Sequence, residues 1–174
     1  EIAKFCGSSG WITSVLGTHH WMLGKFAFEA QDDIWSKNPS AVVASAFASE
    51  DEKVKALKDG YEISGTWLYA SGIYLCDWVI ILSRIPKDNS VPEMRFMLVP
   101  KSDLKIIDTW KTIGLRATGS HNIKIKKAFV PKYRTISHKE INKLDTPGTK
   151  NNPKSVYRMP MSGIINYCVA APAL

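Results

Sequence analysis

The stretch "SGTWLYASGIYLCDW", residues 64–78, alternates in the manner of a β-strand until it reaches a glycine. A period of two divides its side chains between two faces, with Trp67, Tyr69 and Ser71 on one and Leu68 and Ala70 on the other. Gly72 then breaks the alternation, because glycine readily adopts the backbone angles of a turn. The stretch therefore predicts a strand that ends in a turn and presents two aromatic rings and one hydroxyl on the same face.

Further strands are indicated on both sides of this stretch, separated by turn-forming sequences such as "KDG" and "PKDNSVP". Runs of alternating or continuously apolar residues predict strands at 41–48, 61–71, 77–84, 94–99, 104–109 and 122–130. Closely spaced strands with turns between them are typical of a small antiparallel barrel or sandwich.

A helical region is predicted on the N-terminal side of the strands. Residues 8–36 have apolar side chains at steps of three and four, and a serine, Ser8 or Ser9, is available to cap the first turn. Gly17 and Gly24 are expected to split or bend this helix, since glycine is a poor helix former.

The C-terminal part of the sequence is predicted to form a polar loop and then a helix. Residues 137–155 are rich in turn formers, which favours a long loop with one short helical turn. An apolar helix with Ser162 as its N-cap is predicted next. Both ends of the sequence lie within helical patterns, so we expect a fragment of a larger protein.

The composition is that of a globular protein, with 45% hydrophobic and 22% charged residues. No apolar run approaches the roughly 20 residues that cross a bilayer, and the N-terminus lacks a signal-peptide pattern. We therefore expect a cytoplasmic protein that does not associate with membranes. Cys6, Cys76 and Cys168 are widely spaced and odd in number, which predicts buried free thiols.

Positive charge is concentrated in residues 101–158, which contain 14 Lys and Arg against 4 Asp and Glu, in a chain of net charge +7. Such a segment can bind nucleic acid. In "NIKIKKAFVP", however, the lysines alternate with Ile123 and Ile125, which is the pattern of a half-buried strand with one face in water. We therefore expect a solvated face and no nucleic-acid partner.

Several catalytic signatures are missing from the sequence, including GxSxG and GxGxxG. His19 and His20 point about 100° apart on a helix, so they cannot share a metal as an i, i+4 pair does, and no metal site is expected. One of the two can still face a pocket. The six tryptophans suit either a bulky core or a planar ligand, and their spacing favours the core.

Four segments taken together resemble one family: "GSSGWITSVLGTHHWML", "ISGTWLYASGIYLCDWVIIL", "TWKTIGLRATGSHNIKIKKAFVPKYRTIS" and "VYRMPM". Their order and spacing are those of the two-component flavin-dependent monooxygenases of acyl-CoA dehydrogenase fold. That family includes the oxygenase components of p-hydroxyphenylacetate hydroxylase and of steroid-degradation phenol hydroxylases. The resemblance covers nearly the whole chain, although "GLRATGSHNIKIKKAFVP" by itself also resembles ordinary acyl-CoA dehydrogenases.

The resemblance implies an α+β fold of the acyl-CoA dehydrogenase type: N-terminal helices, an antiparallel β-barrel middle domain and a C-terminal helical bundle, assembled as a homotetramer. Residues 1–38 would end the N-terminal helical domain and residues 39–136 would form the barrel. Residues 137–174 would provide a loop and the start of the bundle.

The resemblance also implies a reaction. Reduced FMN or FAD from a separate flavin reductase meets O2, forms a flavin hydroperoxide and hydroxylates an aromatic, phenol-like substrate. An acyl-CoA dehydrogenase or oxidase is an alternative, because the segments of the barrel are shared with those enzymes. A barrel that has lost its activity is a third possibility.

Two residues are assigned to catalysis by the resemblance. His19 resembles the histidine that takes the phenolic proton, a role that suits an imidazole titrating near neutrality. Ser45 resembles the serine whose hydroxyl reaches the flavin near N5, where a donor can steady the hydroperoxide. The family commonly has proline after this histidine, so the presence of His20 leaves open which imidazole faces the pocket.

The remaining assigned residues would bind the cofactor. The resemblance places Trp11, Ser45, Tyr69, Ser71 and Gly72 around the flavin ring. The positive guanidinium of Arg158 suits anionic reduced flavin or a phosphate. Met161 stands where relatives often have phenylalanine in the substrate wall, and Trp67 and Trp78 are expected to serve packing alone.

Overall fold

The computed structural model describes residues 1–88 and 90–164, and its N-terminal part is helical: α1 is Ile2–Phe5, α2 is Gly7–Leu23 and α3 is Phe28–Trp35. The predicted break at Gly24 is confirmed, because α2 ends at Leu23 and Gly24 is its C-cap residue; a Cβ there would also collide with the ring of Tyr157. At Gly17 the predicted split does not occur, since α2 passes through it without interruption, and the alternative of a bend stays a prediction. Among the described residues, no helix is both long and apolar enough to span a bilayer.

The N-terminus of α2 differs from the prediction in its cap. Cys6 occupies the N-cap position and has extended backbone angles, so Ser8 and Ser9 lie inside the first turn rather than before it. The same position leaves the Cys6 thiol exposed, and the prediction of a buried cysteine is wrong there. Cys76 is a buried free thiol, as predicted, and Cys168 lies outside the described residues.

The described residues contain eight strands: β1 Val43–Ala46, β2 Ala48–Leu57, β3 Gly60–Ala70, β4 Trp78–Ile85, β5 Glu93–Pro100, β6 Lys105–Ile107, β7 His121–Pro131 and β8 Thr135–Ser137. They form two four-stranded sheets, with the orders β1-β4-β5-β8 and β2-β3-β7-β6. The pairs are antiparallel except for β1 and β4, which run parallel. A parallel pair needs a long connection, and the excursion of β2 and β3 into the other sheet supplies it.

Two strands were not predicted. The predicted strand at 41–48 divides at Phe47, and the chain continues as β2 at the edge of the second sheet. The β2 sequence "ASEDEKVKAL" is highly charged, which suits an edge strand that must remain soluble but hides its strand character from an apolar pattern. The other strand, β8, has three residues and is too short for a periodic signal.

The two sheets share one hydrophobic core. Ile63 and Trp67 of β3 and Ile123 of β7 are buried with Val79 and Val99 of the opposite sheet. On β7 the lysines between the buried isoleucines are exposed, as the alternation predicts. The prediction of an α+β fold is confirmed, while closure of the two sheets into a barrel stays a prediction.

A second core lies between the helices and the outer face of the first sheet. Met22 and Phe26 from the helical part pack with Ile80, Phe96 and Leu98 of β4 and β5, and all five are essentially inaccessible. The first sheet is therefore buried on both faces, which explains the continuous apolar run in β4. This packing holds α2 against β1.

The segment after β8 returns to the helices. It contains the short helix α4, His138–Ile141, and two 3-10 turns, Pro147–Lys150 and Ser155–Arg158, so it is more regular than the predicted loop. Trp21 Nε1 donates to the Val156 carbonyl at 2.8 Å, which ties this segment to α2. Residues 161–164 are helical, which places Ser162 inside the helix instead of at its cap. The rest of that predicted helix lies outside the described residues.

Candidate functional site

A cavity of about 320 Å³ lies between α2 and the strands β1, β2 and β3, a volume within the range of small-molecule pockets. Its helix wall consists of residues spaced at three and four positions, namely Trp11, Val15, Thr18, His19 and Met22. Its strand wall consists of Ser45, Phe47, Ala48, Leu68, Tyr69 and Ser71. Most of these side chains are apolar, so the few hydroxyls and the one imidazole determine the chemistry of the cavity.

His19 and Ser45 form a hydrogen-bonded pair on this wall, called the His19–Ser45 pair below. The Ser45 Oγ and His19 Nε2 atoms are 2.7 Å apart, and His19 Nδ1 lies 2.9 Å from the Val43 carbonyl. A carbonyl oxygen can only accept a hydrogen bond, so Nδ1 carries the proton. In the neutral imidazole, Nε2 then accepts the proton that Ser45 donates.

Burial keeps this imidazole neutral. His19 is only 5% exposed, and the loss of hydration lowers its pKa to about 4, even though the Val43 carbonyl favours the charged form. At neutral pH the arrangement of protons in the pair is therefore fixed. While this bond to His19 is kept, Ser45 offers lone pairs to the cavity, and its expected role as a donor to a flavin stays a prediction.

A second polar group, called the hydroxyl chain below, lies farther along the cavity and comprises Ser71, Ser120 and Thr118. Trp11 Nε1 donates to Ser71 Oγ at 3.2 Å. Ser71 Oγ lies 2.8 Å from Ser120 Oγ, and Ser120 Oγ lies 2.7 Å from Thr118 Oγ1. Thr118 Oγ1 donates to the Leu115 carbonyl at 2.9 Å, which ends the chain.

Tyr69 reaches the cavity because β3 is irregular at this point. The register between β3 and β7 shifts between Trp67 and Ala70, and Tyr69 has a φ of +62°, a left-handed conformation that is uncommon for a tyrosine. Trp67 and Ala70 are both buried, so the alternation predicted for residues 67–71 is wrong. The bulge places Leu68 and Tyr69 side by side on the cavity wall.

The other residues considered from the sequence lie elsewhere. Gly72 and Arg158 are not among the described residues that line the cavity. Gly72 has a φ of +73° and packs against Ile12 of α2, while the Arg158 guanidinium donates to the Pro153 carbonyl at 2.8 Å. His20 lines a different cleft, beside the ring of Trp35. His19 is therefore the imidazole that faces this cavity.

Two further expectations concern packing. Trp67 is fully buried and donates its indole N–H to the Leu82 carbonyl at 3.0 Å, which confirms its packing role. Met161 is partly buried against the helix core, and its backbone N–H donates to Asn142 Oδ1 at 3.0 Å. It does not line the cavity within the described part of the chain.

Sequence reasoning missed several members of the site. The rest of the helix wall could have been found from its spacing, because Val15, Thr18 and Met22 follow the assigned Trp11 at steps of four, three and four on one face of α2. Ser120 could not be found in this way. It meets Ser71 across 49 residues of sequence, and an isolated serine carries no periodic signal.

Several curated relatives align with almost the whole chain, although no protein-family model matches it. The flavin-dependent monooxygenase oxygenase subunit HsaA of Rhodococcus jostii (strain RHA1) is 33% identical over 99% of the chain. The oxygenase component of the FADH(2)-dependent resorcinol hydroxylase of Rhizobium sp. (strain MTP-10005) is 34% identical over 98% of the chain. The chain spans 45% and 42% of these relatives, respectively.

Solved structures agree with these relatives. The 3-HSA hydroxylase from Rhodococcus sp. RHA1 superposes with a TM-score of 0.93 at 33% identity, over 99% of this chain and 45% of that one. XiaF from Streptomyces sp., in complex with FADH2 and glycerol, superposes with a TM-score of 0.81 at 29% identity, over 98% and 43%. The structure thus has the acyl-CoA dehydrogenase fold in the form found in flavin monooxygenases. The chain is a homologue of the oxygenase components of flavin-dependent monooxygenases, corresponding to somewhat less than half of their length.

Proposed function

We propose that the protein containing this chain is the oxygenase component of a two-component flavin-dependent monooxygenase that hydroxylates a phenol-like aromatic substrate. The observation that carries the proposal is the His19–Ser45 pair, a neutral imidazole bonded to a hydroxyl in an otherwise apolar cavity. The relatives are named as hydroxylases and monooxygenases, which supports the same chemistry.

The pair is built to accept a proton from the substrate. A phenol O–H can donate to a lone pair of Ser45 Oγ, while the Ser45 proton moves to His19 Nε2 along the existing 2.7 Å bond. A pKa of about 4 makes His19 a weak base. A weak base is sufficient here, because a phenol becomes much more acidic as its ring is attacked by an electrophilic oxygen.

The cavity walls suit a planar cofactor. Trp11, Leu68 and Tyr69 offer flat or apolar surfaces, and the hydroxyls of Ser45 and Ser71 offer hydrogen-bond acceptors to ring N–H groups. We propose that reduced FMN or FAD binds here, with Arg158 outside the cavity near a phosphate. When bound, reduced flavin supplies the two electrons that split O2, one oxygen atom going to the aromatic ring and the other to water.

The proposal extends to the organisation of the whole protein. Residues 1–38 would complete an N-terminal helical domain, residues 39–136 would form the middle domain, and residues 137–174 would lead into a C-terminal helical domain. A separate flavin reductase would supply reduced flavin, and the oxygenase would assemble as a homotetramer. Gly72 would contribute by allowing the chain to turn directly after Ser71.

The test is a measurement of product for each reduced flavin consumed. The full-length protein is mixed anaerobically with reduced FMN or FAD and then with O2 and a panel of phenols, and hydroxylated products are quantified. We expect at least one phenol to give a stable dihydroxylated product in a yield that depends on the protein. If the flavin is reoxidised without product from any phenol, and an acyl-CoA bleaches protein-bound FAD instead, the protein is a dehydrogenase and the proposal is wrong.

A further inference from the structure

The hydroxyl chain has a defined direction because its two ends have fixed roles. The Trp11 indole N–H can only donate and the Leu115 carbonyl can only accept. Thr118 gives its single proton to Leu115, so the bond between Thr118 and Ser120 needs the proton of Ser120. The bond between Ser120 and Ser71 then needs the proton of Ser71. All three hydroxyl protons therefore point away from the cavity.

This direction determines what Ser71 can offer to a ligand. Its proton is used by Ser120, and one of its two lone pairs accepts from Trp11. Within the described part of the chain, the remaining capacity of this hydroxyl is one lone pair on a residue that lines the cavity. Ser71 is consequently an acceptor and not a donor toward anything bound there.

Thr118 and Ser120, the members of the hydroxyl chain that are farther from the cavity, are held rigidly. Thr118 is 2% exposed and Ser120 is 4% exposed, so neither hydroxyl can exchange its partner for bulk water without opening the turn. The Thr118 carbonyl also accepts the backbone N–H of Gly72 at 2.8 Å, directly after Ser71. The turn before β7 is thus joined to the end of β3 by both a side-chain bond and a backbone bond.

Two other hydroxyls that line the cavity, those of Ser45 and Thr18, agree in polarity with Ser71. Ser45 donates to His19, and Thr18 Oγ1 donates to the Ser14 carbonyl at 3.0 Å. Three hydroxyls that line the cavity therefore have their protons committed to the protein. A ligand with N–H or O–H donors gains hydrogen bonds from such a wall, whereas a ligand that presents bare lone pairs meets unfavourable contacts.

We propose that Ser120 and Thr118 are positioning residues that keep Ser71 in its acceptor state, so that the cavity binds the reduced isoalloxazine more tightly than the oxidised one. The inference rests on the proposed function. The reduced ring carries an N–H at its central ring where the oxidised ring has a bare nitrogen lone pair. Neither Ser120 nor Thr118 lines the cavity, and both act through Ser71.

The experiment compares the affinities of the two redox states of the flavin. Dissociation constants for reduced flavin (anaerobically) and oxidised flavin are measured for the full-length protein and for Ser120→Ala and Thr118→Val. Freeing the Ser71 proton to rotate toward the cavity should lower the preference for reduced flavin by about 5- to 10-fold in Ser120→Ala, the size of one net hydrogen bond. Thr118→Val removes only the hydroxyl that accepts the Ser120 proton, so a smaller decrease of about threefold in the preference for reduced flavin is expected.

Controls separate this effect from general destabilisation. Thr118→Ser retains the hydroxyl and should restore the wild-type preference to within about twofold. Ser83 is a fully buried serine on β4 whose Oγ has no partner among the described residues. Ser83→Ala therefore removes a buried hydroxyl that does not belong to the hydroxyl chain, and it should leave the preference for reduced flavin unchanged. In a Ser71→Ala background, Ser120→Ala should have no further effect, because the residue through which it acts is missing.

Each outcome has a defined meaning. If the wild type prefers reduced flavin and both Ser120→Ala and Thr118→Val keep that preference, or weaken both redox states equally, the positioning role is refuted while the proposed function stands. If the wild type binds neither redox state of FMN or FAD, the proposed function itself fails. Should Ser120→Ala not fold, as judged by circular dichroism, the comparison of Thr118→Val with Thr118→Ser still decides the question.

Discussion

The His19–Ser45 pair and the hydroxyl chain lie on the same cavity but hold their protons by different means. The pair contains an ionisable group, and its proton arrangement depends on the imidazole remaining neutral. The hydroxyl chain contains no group that titrates near neutrality, and its direction is set by an indole donor at one end and a carbonyl acceptor at the other. One region can take up a proton during a reaction, whereas the other can only keep a proton in place.

The largest effect should come from removing the proton acceptor of the pair. His19→Asn is expected to lower the rate of hydroxylation by about 100- to 10,000-fold, the range usual for loss of a general base. The rate is measured as product formed in a single turnover with reduced flavin, O2 and a phenol. The matched control is His20→Asn, which changes the neighbouring imidazole in a different cleft and should alter the rate by less than about twofold. Equal losses in both variants would contradict the assignment of His19.

The next effect concerns the dependence of stability on pH. The imidazole of His19 binds a proton near 6.5 when unfolded and near 4 when folded, so the unfolded state holds more protons between these values. The free energy of unfolding should therefore fall as the pH falls from about 6.5 to about 4, by about 3 kcal/mol from this residue. Denaturant unfolding at several pH values measures it.

The hydroxyl chain sharpens this comparison. His19→Asn should lose this part of the pH slope, whatever its stability at neutral pH. Ser120→Ala should keep the slope unchanged, because a serine does not titrate in this range. If His19→Asn kept the wild-type dependence of unfolding free energy on pH, another group would be its cause. The contrast between a titrating pair and a hydroxyl chain that does not titrate would then be wrong.

A smaller effect is expected at the donor end of the hydroxyl chain. Trp11→Phe retains an aromatic ring on the cavity wall but removes the N–H that donates to Ser71, at a cost of about 1 kcal/mol in the free energy of unfolding. Trp35→Phe is the control, because it also removes an indole bond, to the Ala41 carbonyl at 3.2 Å, away from the cavity. Both variants should lose similar stability, but only Trp11→Phe should change flavin affinity, as measured by titration.

The smallest effect is expected at Gly17 of α2, which lies between Trp11 and His19 in the sequence but lines the separate cleft that contains His20. A Cβ there has no atom within 4 Å among the described residues, and the helix continues through the position. Gly17→Ala should raise the free energy of unfolding by about 0.5–1 kcal/mol, because alanine loses less backbone entropy in a helix. Thermal unfolding measures the gain. Flavin affinity should be unchanged, and a loss of affinity would mean that α2 must bend there.

Much of the fold could be predicted from the sequence, because burial of one face of a strand or helix gives its apolar residues a regular spacing. The isoleucines of β7 and the break at Gly24 were predicted from local pattern and composition alone. The charged β2 was missed because an edge strand needs no continuous apolar face. The parallel pairing of β1 with β4 was also missed, since pairing depends on the path of the chain and not on the composition of either strand.

The candidate site was predictable mainly through resemblance. His19 and Ser45, 26 residues apart, carry no motif that would join them without a related protein for comparison. Their proton arrangement could not be predicted at all, because it depends on the carbonyl of Val43 and on the depth of burial. The role of donor to a flavin expected for Ser45 stays a prediction, because in this structure its proton is used in the bond to His19. Ser120 and Thr118 were not identified from the sequence, because their connection to Ser71 forms only when the end of β3 meets the turn before β7.

The bulge at Tyr69 has a consequence for how the protein can change over generations. Trp67 and Ala70 keep their places in the core although two residues separate them on β3, so the strand contains one residue more than its neighbour requires. That surplus residue is the aromatic one on the cavity wall. If Tyr69 were deleted, Trp67 and Ala70 would be two positions apart, which is the spacing that directs both side chains to the same face of a regular strand. Deletion or insertion of one codon can therefore remove or restore an aromatic residue of the cavity wall without changing which face of β3 packs in the core.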